Sequence, residues 1–208
     1  MKKINNKMKI SIGFIGAGNM GLPMLKNLKR DGFDIKVYDQ DKKVTKKLEK
    51  DKIKSVNNLR AVANNDFIIS ILPDTTDVES VFNYETGINQ FLKPGTIVID
   101  MSTISSSSAI EIGKKLHKQQ VEFLDAPVSG GVKGAIESNL SIMVGGKKDT
   151  FKKSLFILNS FGKNIVYAGK LGMGQVFKMC NQVMVGTHIQ AVCEAFALCK
   201  AKGGDLKL

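Results

Sequence analysis

Three short stretches of the sequence carry residue types that can do chemistry. The first is Gly16-Ala17-Gly18-Asn19-Met20-Gly21. Gly16 suits a tight turn, Gly18 lets a pyrophosphate approach the backbone, and Gly21 allows a helix to pack closely on a strand. A helix opening there turns free N–H groups and a positive dipole end toward the phosphates. Asp39 follows 18 residues beyond Gly21, where a carboxylate can accept hydrogen bonds from ribose hydroxyls. The same charge repels a 2′-phosphate, and Gln40 rather than Arg comes next. The pattern points to NAD(H) ahead of NADP(H), although an Asp that merely ends a strand reads the same way.

The second stretch runs from Asp125 through Ala126, Pro127, Val128, Ser129, Gly130 and Gly131 to Ala135. One hydroxyl and two side-chain-free residues in a single turn make a suitable cradle for a small carboxylate, and they equally suit an ordinary Gly turn. The third is Lys178, in Gly172-Met-Gly-Gln-Val-Phe-Lys178-Met-Cys-Asn181-Gln182. Helical spacing puts Gly174, Lys178 and Gln182 on one face with Asn181 beside them. An ammonium withdrawn from water there loses its proton more readily, which suits proton transfer at neutral pH. A Lys lying along its apolar stem with its tip in solvent is the competing reading. His117 reads as a surface residue and His188 as a satisfied interior or interface residue. Asp74 and Asp77 read as turn residues.

These residues need elements to hold them. Apolar, β-branched runs at Ile10–Ile15, Ile35–Tyr38, Phe67–Leu72, Thr96–Ile99, Val121–Leu124, Leu140–Val144 and Ile165–Tyr167 read as strands. Helical spacing occupies Leu22–Arg30, Val44–Lys50, Val78–Phe82 and Ala109–Lys118, the last preceded by a Ser105–Ser108 run suited to capping. The alternation predicts an α/β fold, a doubly wound, mainly parallel sheet covered on both faces. From Gly174 to about Lys202 the chain reads as one long helix, apolar nearly all round, which expects cover on every side. The expected division is a dinucleotide-binding domain over residues 1–170 and the first helix of an all-α domain over 171–208.

Composition narrows the class. The chain has 208 residues, 43% hydrophobic and 24% charged, with 20 Gly and 4 Pro; disorder, a collagen repeat and a disulfide-stapled miniprotein are excluded. The net charge of +12 rests on 31 basic residues, of which only Arg30 and Arg60 are Arg. Base readout and phosphate clamping favour Arg, so a Lys-rich solvated surface is expected and specific nucleic-acid binding is not. Cys180, Cys193 and Cys199 lack metal-ligand spacing, so no metal site is expected and a reducing, cytoplasmic setting is. No signal peptide or membrane span is read, and Met8 would serve as well as Met1 for a start.

Taken together, the three stretches resemble the β-hydroxyacid dehydrogenase family. The likeness includes the GFIGxGxMGxPMxxNL pattern at Gly13–Leu28, the Leu72-Pro73 pair, Asp100-Met-Ser-Thr103, the DAPVSGG run and the Lys-bearing helix. It implies hydride transfer between NAD(H) and a small 3-hydroxy acid or semialdehyde. Tartronate semialdehyde (2-hydroxy-3-oxopropionate) and 3-hydroxyisobutyrate are the leading substrates. Leu72, Pro73 and Thr103 would line the nicotinamide end of the cofactor. Ser129, Gly130 and Gly131, with Asn181 and Gln182 near, would hold the substrate, and Lys178 would be the acid/base group. Gln182 stands where many members have a second Asn, which tilts the substrate toward tartronate semialdehyde. The resemblance also implies a homodimer and a further helical domain, so the chain reads as truncated. An NAD-binding fragment or interaction module without catalysis is the alternative.

Overall fold

Parallel strands buried on both faces read as near-continuous apolar runs, and the central strands do so up to a polar last residue. In the computed structural model, which describes residues 10–208, β3 (Phe67–Ser70) and β4 (Ile97–Asp100) are buried throughout. Their neighbours are β1 (Ser11–Ile15), β2 (Asp34–Tyr38) and β5 (Glu122–Asp125). The order β2-β1-β3-β4-β5 is parallel throughout. Alternate side chains go to opposite faces, so Ile69 and Ile99 join one apolar cluster while Ile68 and Val98 join the other. The chain steps from β1 to β2 on one side and returns to β3 on the other. A ligand crevice is expected at that reversal, beyond the carboxyl ends of the strands.

The helices that cover the sheet follow their sequence signals. They are α1 (Gly21–Arg30), α2 (Lys42–Lys50), α3 (Leu59–Ala63), α4 (Thr75–Val81) and α5 (Ser106–His117). Ser105 caps α5 by accepting from the Ser108 N–H, as its Ser run predicts. Asp74 is more than a turn residue, because it caps α4 through the Asp77 N–H.

Beyond β5 the sheet departs from parallel pairing. The segment after Pro127 forms β6 (Val128–Ser129), a strand where a plain turn was expected. It pairs antiparallel with β7 (Leu140–Gly145), which also meets β5 antiparallel and β8 (Gly162–Gly169) in parallel. Two helices, α6 (Gly131–Ile136) and α7 (Lys148–Leu158), lie between these strands. The apolar run at Phe67–Leu72 overshoots its strand, since Ile71 and Leu72 lie past the end of β3.

The long helix, α8, spans Met173–Ala201. Only Gly174, Gln175 and Lys178 of it are buried. Phe177, Met179, Val183, Ile189, Val192 and Phe196 are exposed. His188 is exposed on this chain rather than interior, with Nδ1 2.7 Å from the Met184 carbonyl oxygen. Cys180 and Cys193 are likewise exposed. No helix among the described residues is long and apolar enough to cross a membrane. The residues around the alternative start, Met1–Lys7 and Met8, lie outside the described part.

Phe14 is fully buried in β1, paired in register with Val37 and Ile69. Phe14→Ala should lower unfolding free energy by about 3–5 kcal/mol, read as a fall in the urea midpoint with an unchanged slope.

Candidate active site

The turn after β1 has the geometry that a dinucleotide needs. Gly16 sits at φ +92°, and a Cβ there would collide with the Ile71 carbonyl. A Cβ on Gly21 would strike the Gly16 carbonyl, whereas one on Gly18 would meet nothing within 4 Å. Thus two glycines close the turn and the third leaves open space for a ligand. No side chain caps the start of α1 and no acid stands in its first turn, so its dipole end is offered to an anion.

A cavity of ≈350 Å³ opens beside this turn, lined by Gly16, Gly18, Asn19, Met20, Gly21, Asp39, Leu72 and Pro73 among others. Ala17 is not on its wall; buried, it donates its N–H to Asp39 Oδ2 at 2.7 Å. Asp39 Oδ1 accepts from the Asp41 N–H at 2.8 Å. Each carboxylate oxygen keeps a lone pair for a ribose hydroxyl. The residues present therefore fit an adenine dinucleotide, with a fixed negative charge where a 2′-phosphate would come.

A second cavity of ≈450 Å³ continues from the first, and Met20, Ile71, Leu72 and Pro73 border both. Thr103, Ser129, Gly130, Gly131, Lys178 and Gln182 are among the other residues that line it. The turn and the helix, 47 residues apart between Gly131 and Lys178, thus meet on one groove. Gly130 at φ +128° and Gly131 at φ +61° adopt a backbone that residues with a Cβ resist. Lys178 is 7% exposed, and its ammonium donates to Gln182 Oε1 at 2.9 Å. Burial holds its pKa below the usual Lys value. Asn181 is outside the lining but bridges it, donating from Nδ2 toward Ser129 Oγ at 3.4 Å and Gln182 Oε1 at 3.3 Å. Among the described residues no cluster of His, Cys, Asp or Glu could hold a metal.

Beneath the groove lies a polar network that the sequence reading did not assign. Asp100 and Asp125 end β4 and β5 in register. Asp100 Oδ1 accepts from Ser70 Oγ at 2.8 Å and Ser102 Oγ at 2.6 Å, and Ser102 Oγ accepts from the Leu72 N–H at 2.9 Å. Asp100 Oδ2 is buried without a hydrogen bond. Asp125 accepts from the N–H groups of Gly172 and Gln175 at 2.7 and 3.0 Å. The Gln175 amide joins the two halves, donating to the Ser102 carbonyl at 2.9 Å and accepting from the Ile104 N–H at 3.1 Å. Burial pushes both carboxyls up to about 6. The signal for them was an Asp closing an apolar run in each of two strands, Ile97–Asp100 and Glu122–Asp125.

The chain is similar to known proteins in sequence and fold. A family model described as the NAD binding domain of 6-phosphogluconate dehydrogenase matches residues 11–169. A second, NAD-binding of NADP-dependent 3-hydroxyisobutyrate dehydrogenase, matches residues 172–208. The chain is 39% identical over 198 residues to a probable mitochondrial 3-hydroxyisobutyrate dehydrogenase of Dictyostelium discoideum, covering 95% of this chain and 62% of that one. It is 36% identical to the 2-(hydroxymethyl)glutarate dehydrogenase of Eubacterium barkeri, covering 91% and 63%. The chain thus spans less than two thirds of either curated relative. The solved 3-hydroxyisobutyrate dehydrogenase of Mycobacterium tuberculosis with L-serine superposes with a TM-score of 0.88 at 32% identity, over 95% of this chain and 67% of that one.

The buried Asp100 sets a pH dependence of stability. Its folded value of about 6 lies above the ordinary 3.8, so between those values the folded state holds a proton that the unfolded state releases. That contribution is complete below about pH 4 and lost as pH rises through about 6, on the order of 3 kcal/mol for a carboxyl moved this far. Relative to wild type, Asp100→Asn should gain stability across that window, read as the difference between urea midpoints at pH 4 and pH 7.

Proposed function

The chain belongs to the β-hydroxyacid dehydrogenase family, and from that premise we propose that it transfers hydride between NAD(H) and a small 3-hydroxy acid or its semialdehyde. The observation that carries this reading is the meeting of a buried Lys178 and the Ser129–Gly131 turn on one groove that continues past Leu72 and Pro73 into the dinucleotide cavity. NADH, when bound, supplies the hydride. The division of the chain near residue 170, into a dinucleotide-binding part and the start of a helical one, belongs to the same reading.

Each residue then has a defined task. Gly16, Gly18 and Gly21 shape the pyrophosphate turn, and Asn19 and Met20 border it. Asp39 receives the ribose hydroxyls. Leu72 and Pro73 border the passage where the two cavities meet, Thr103 lines the second cavity, and together they keep water from the reacting carbon. Ser129, Gly130 and Gly131 receive the substrate carboxylate. Lys178 Nζ donates a proton to the carbonyl oxygen as that oxygen gains charge, and in the oxidative direction takes the proton from the hydroxyl. Its lowered pKa makes the neutral amine accessible nearer neutrality, and Gln182 Oε1 orients the ammonium. Asn181 and Gln182 flank the substrate.

Within this class we assign tartronate semialdehyde ahead of the methyl-bearing semialdehyde related to 3-hydroxyisobutyrate. Gln182 presents an amide whose oxygen is engaged by Lys178 and Asn181, which leaves its Nε2 donors for an additional substrate hydroxyl. Two copies joined through the exposed apolar side of α8 complete the reading, with sedimentation as the check.

NADH oxidation by the purified chain, with each semialdehyde in turn, tests the reading. Lys178→Ala should lower kcat by about 10²–10⁴-fold and leave NADH binding unchanged by fluorescence titration. Turnover that survives in the variant would remove Lys178 from its role. A folded chain that binds NADH and turns over neither semialdehyde would leave a cofactor-binding protein. Separately, Asp39→Ser should weaken NADH binding and raise relative affinity for NADPH, read in paired titrations.

A further inference from the structure

The helix that carries Lys178 is joined to the sheet by its first turn. Gly172, its N-cap, takes a left-handed backbone at φ +86°. Asp125 meets that turn with both carboxylate oxygens, Oδ1 on the Gly172 N–H at 2.7 Å and Oδ2 on the Gln175 N–H at 3.0 Å. The carboxylate has no room to swing. A Cβ on Gly145 would come within 2.5 Å of Oδ1, and one on Gly174 within 2.8 Å of Oδ2. From the other side, the Gln175 amide ties the same turn to the Ser102 carbonyl and the Ile104 N–H. Lys178 follows Gln175 by three residues, less than one helical turn, and Ser129 follows Asp125 by four.

We propose that Asp125, braced by Gln175, is a positioning residue that fixes the rotation and height of the first turn of α8 and so aims Lys178 Nζ at the Ser129–Gly131 turn. The inference rests on the reading of Lys178 as the acid/base group and adds what holds it there. A helix carries its side chains as a rigid set, so a small rotation at the first turn displaces Nζ at the end of its four-carbon stem. One strand end thereby sets both walls of the groove: its carboxylate holds the helix that bears the ammonium, and its continuing backbone forms the substrate turn. The charge also suits the place, because a carboxylate at a helix N-terminus is favoured by the free N–H groups and the dipole.

Asp125→Asn keeps the size of the side chain but sets an amide donor against one of the two N–H groups. The test compares wild type, Asp125→Asn and Gln175→Ala in two measurements. In turnover with NADH, kcat should fall by about 10–100-fold for Asp125→Asn, with KM and NADH affinity changing far less. In trace acetylation with acetic anhydride across pH, followed by mass spectrometry of the Lys178 peptide, the Lys178 midpoint should move up toward those of exposed lysines. Gln175→Ala should shift it in the same direction by a smaller amount. A purely structural role would lower thermal stability and leave both the Lys178 midpoint and kcat in place, and that outcome overturns the proposal. Acetylation needs no turnover, so a wild-type chain without dehydrogenase activity would remove the proposed function while the labelling still decides the clamp. Where Asp125→Asn does not fold, Gln175→Ala decides: an unmoved Lys178 midpoint overturns the proposal.

Discussion

Two carboxylates buried side by side at the ends of neighbouring parallel strands govern how this chain arranges its groove. Removing a charge from water is unfavourable unless hydrogen bonds replace the lost solvation. Asp100 and Asp125 meet that demand with donors drawn from the segments that border the groove. Asp100 reaches the Leu72 loop through the Ser102 hydroxyl, and Asp125 reaches the first turn of α8. Gln175 connects the two. The network therefore does more than solvate two charges: it fixes loop and helix relative to β4 and β5. The compensation is incomplete, since burial still raises both carboxyls to about 6 and Asp100 Oδ2 has no hydrogen bond.

The parallel sheet makes this economy of position available. All five parallel strands present their carboxyl ends at one edge, so β1, β3, β4 and β5 each deliver a segment to the same groove. β1 delivers the glycine turn, β3 the Leu72-Pro73 pair, β4 the Ser102–Thr103 stretch and β5 the Ser129–Gly131 turn. The helix adds Lys178 from above. Residues far apart in sequence become neighbours because strand ends are neighbours, and the middle of the groove, where Met20, Ile71, Leu72 and Pro73 border both cavities, is where reacting groups would come together.

Much of this was legible in the sequence, for identifiable reasons. The parallel strands announced themselves as short apolar runs because both faces are buried, and the glycine turn because no other residue fits its backbone. Lys178 was visible as a cation near the start of an otherwise apolar stretch of helix. The antiparallel end of the sheet was not visible, since β6 is only the two residues Val128–Ser129 and its Gly-rich continuation resembles a turn. The short helices α3 and α6 hold too few residues to establish a period. Asp100, Asp125 and Gln175 were present in the quoted motifs, yet Asp125 and Gln175 pair with backbone N–H and carbonyl groups, and Asp100 pairs with the hydroxyl of Ser70 on the neighbouring strand as well as that of Ser102. Backbone partners leave no trace in residue type, and the pairing across strands appears only once strand register is known.

The packing of Asp125 between Gly145 and Gly174 has a consequence for how the gene can drift. The walls on either side of the carboxylate are bare backbone, and a single added methyl at either glycine intrudes on an oxygen that already holds α8. Lengthening the acid to Glu would drive it into the same walls, and shortening it would leave two N–H groups orphaned. None of the three residues can change alone without disturbing the contact of the carboxylate with the first turn of α8. They would have to be exchanged together, through intermediates that each misplace the helix, so the trio is expected to behave as one inherited unit rather than three independent sites.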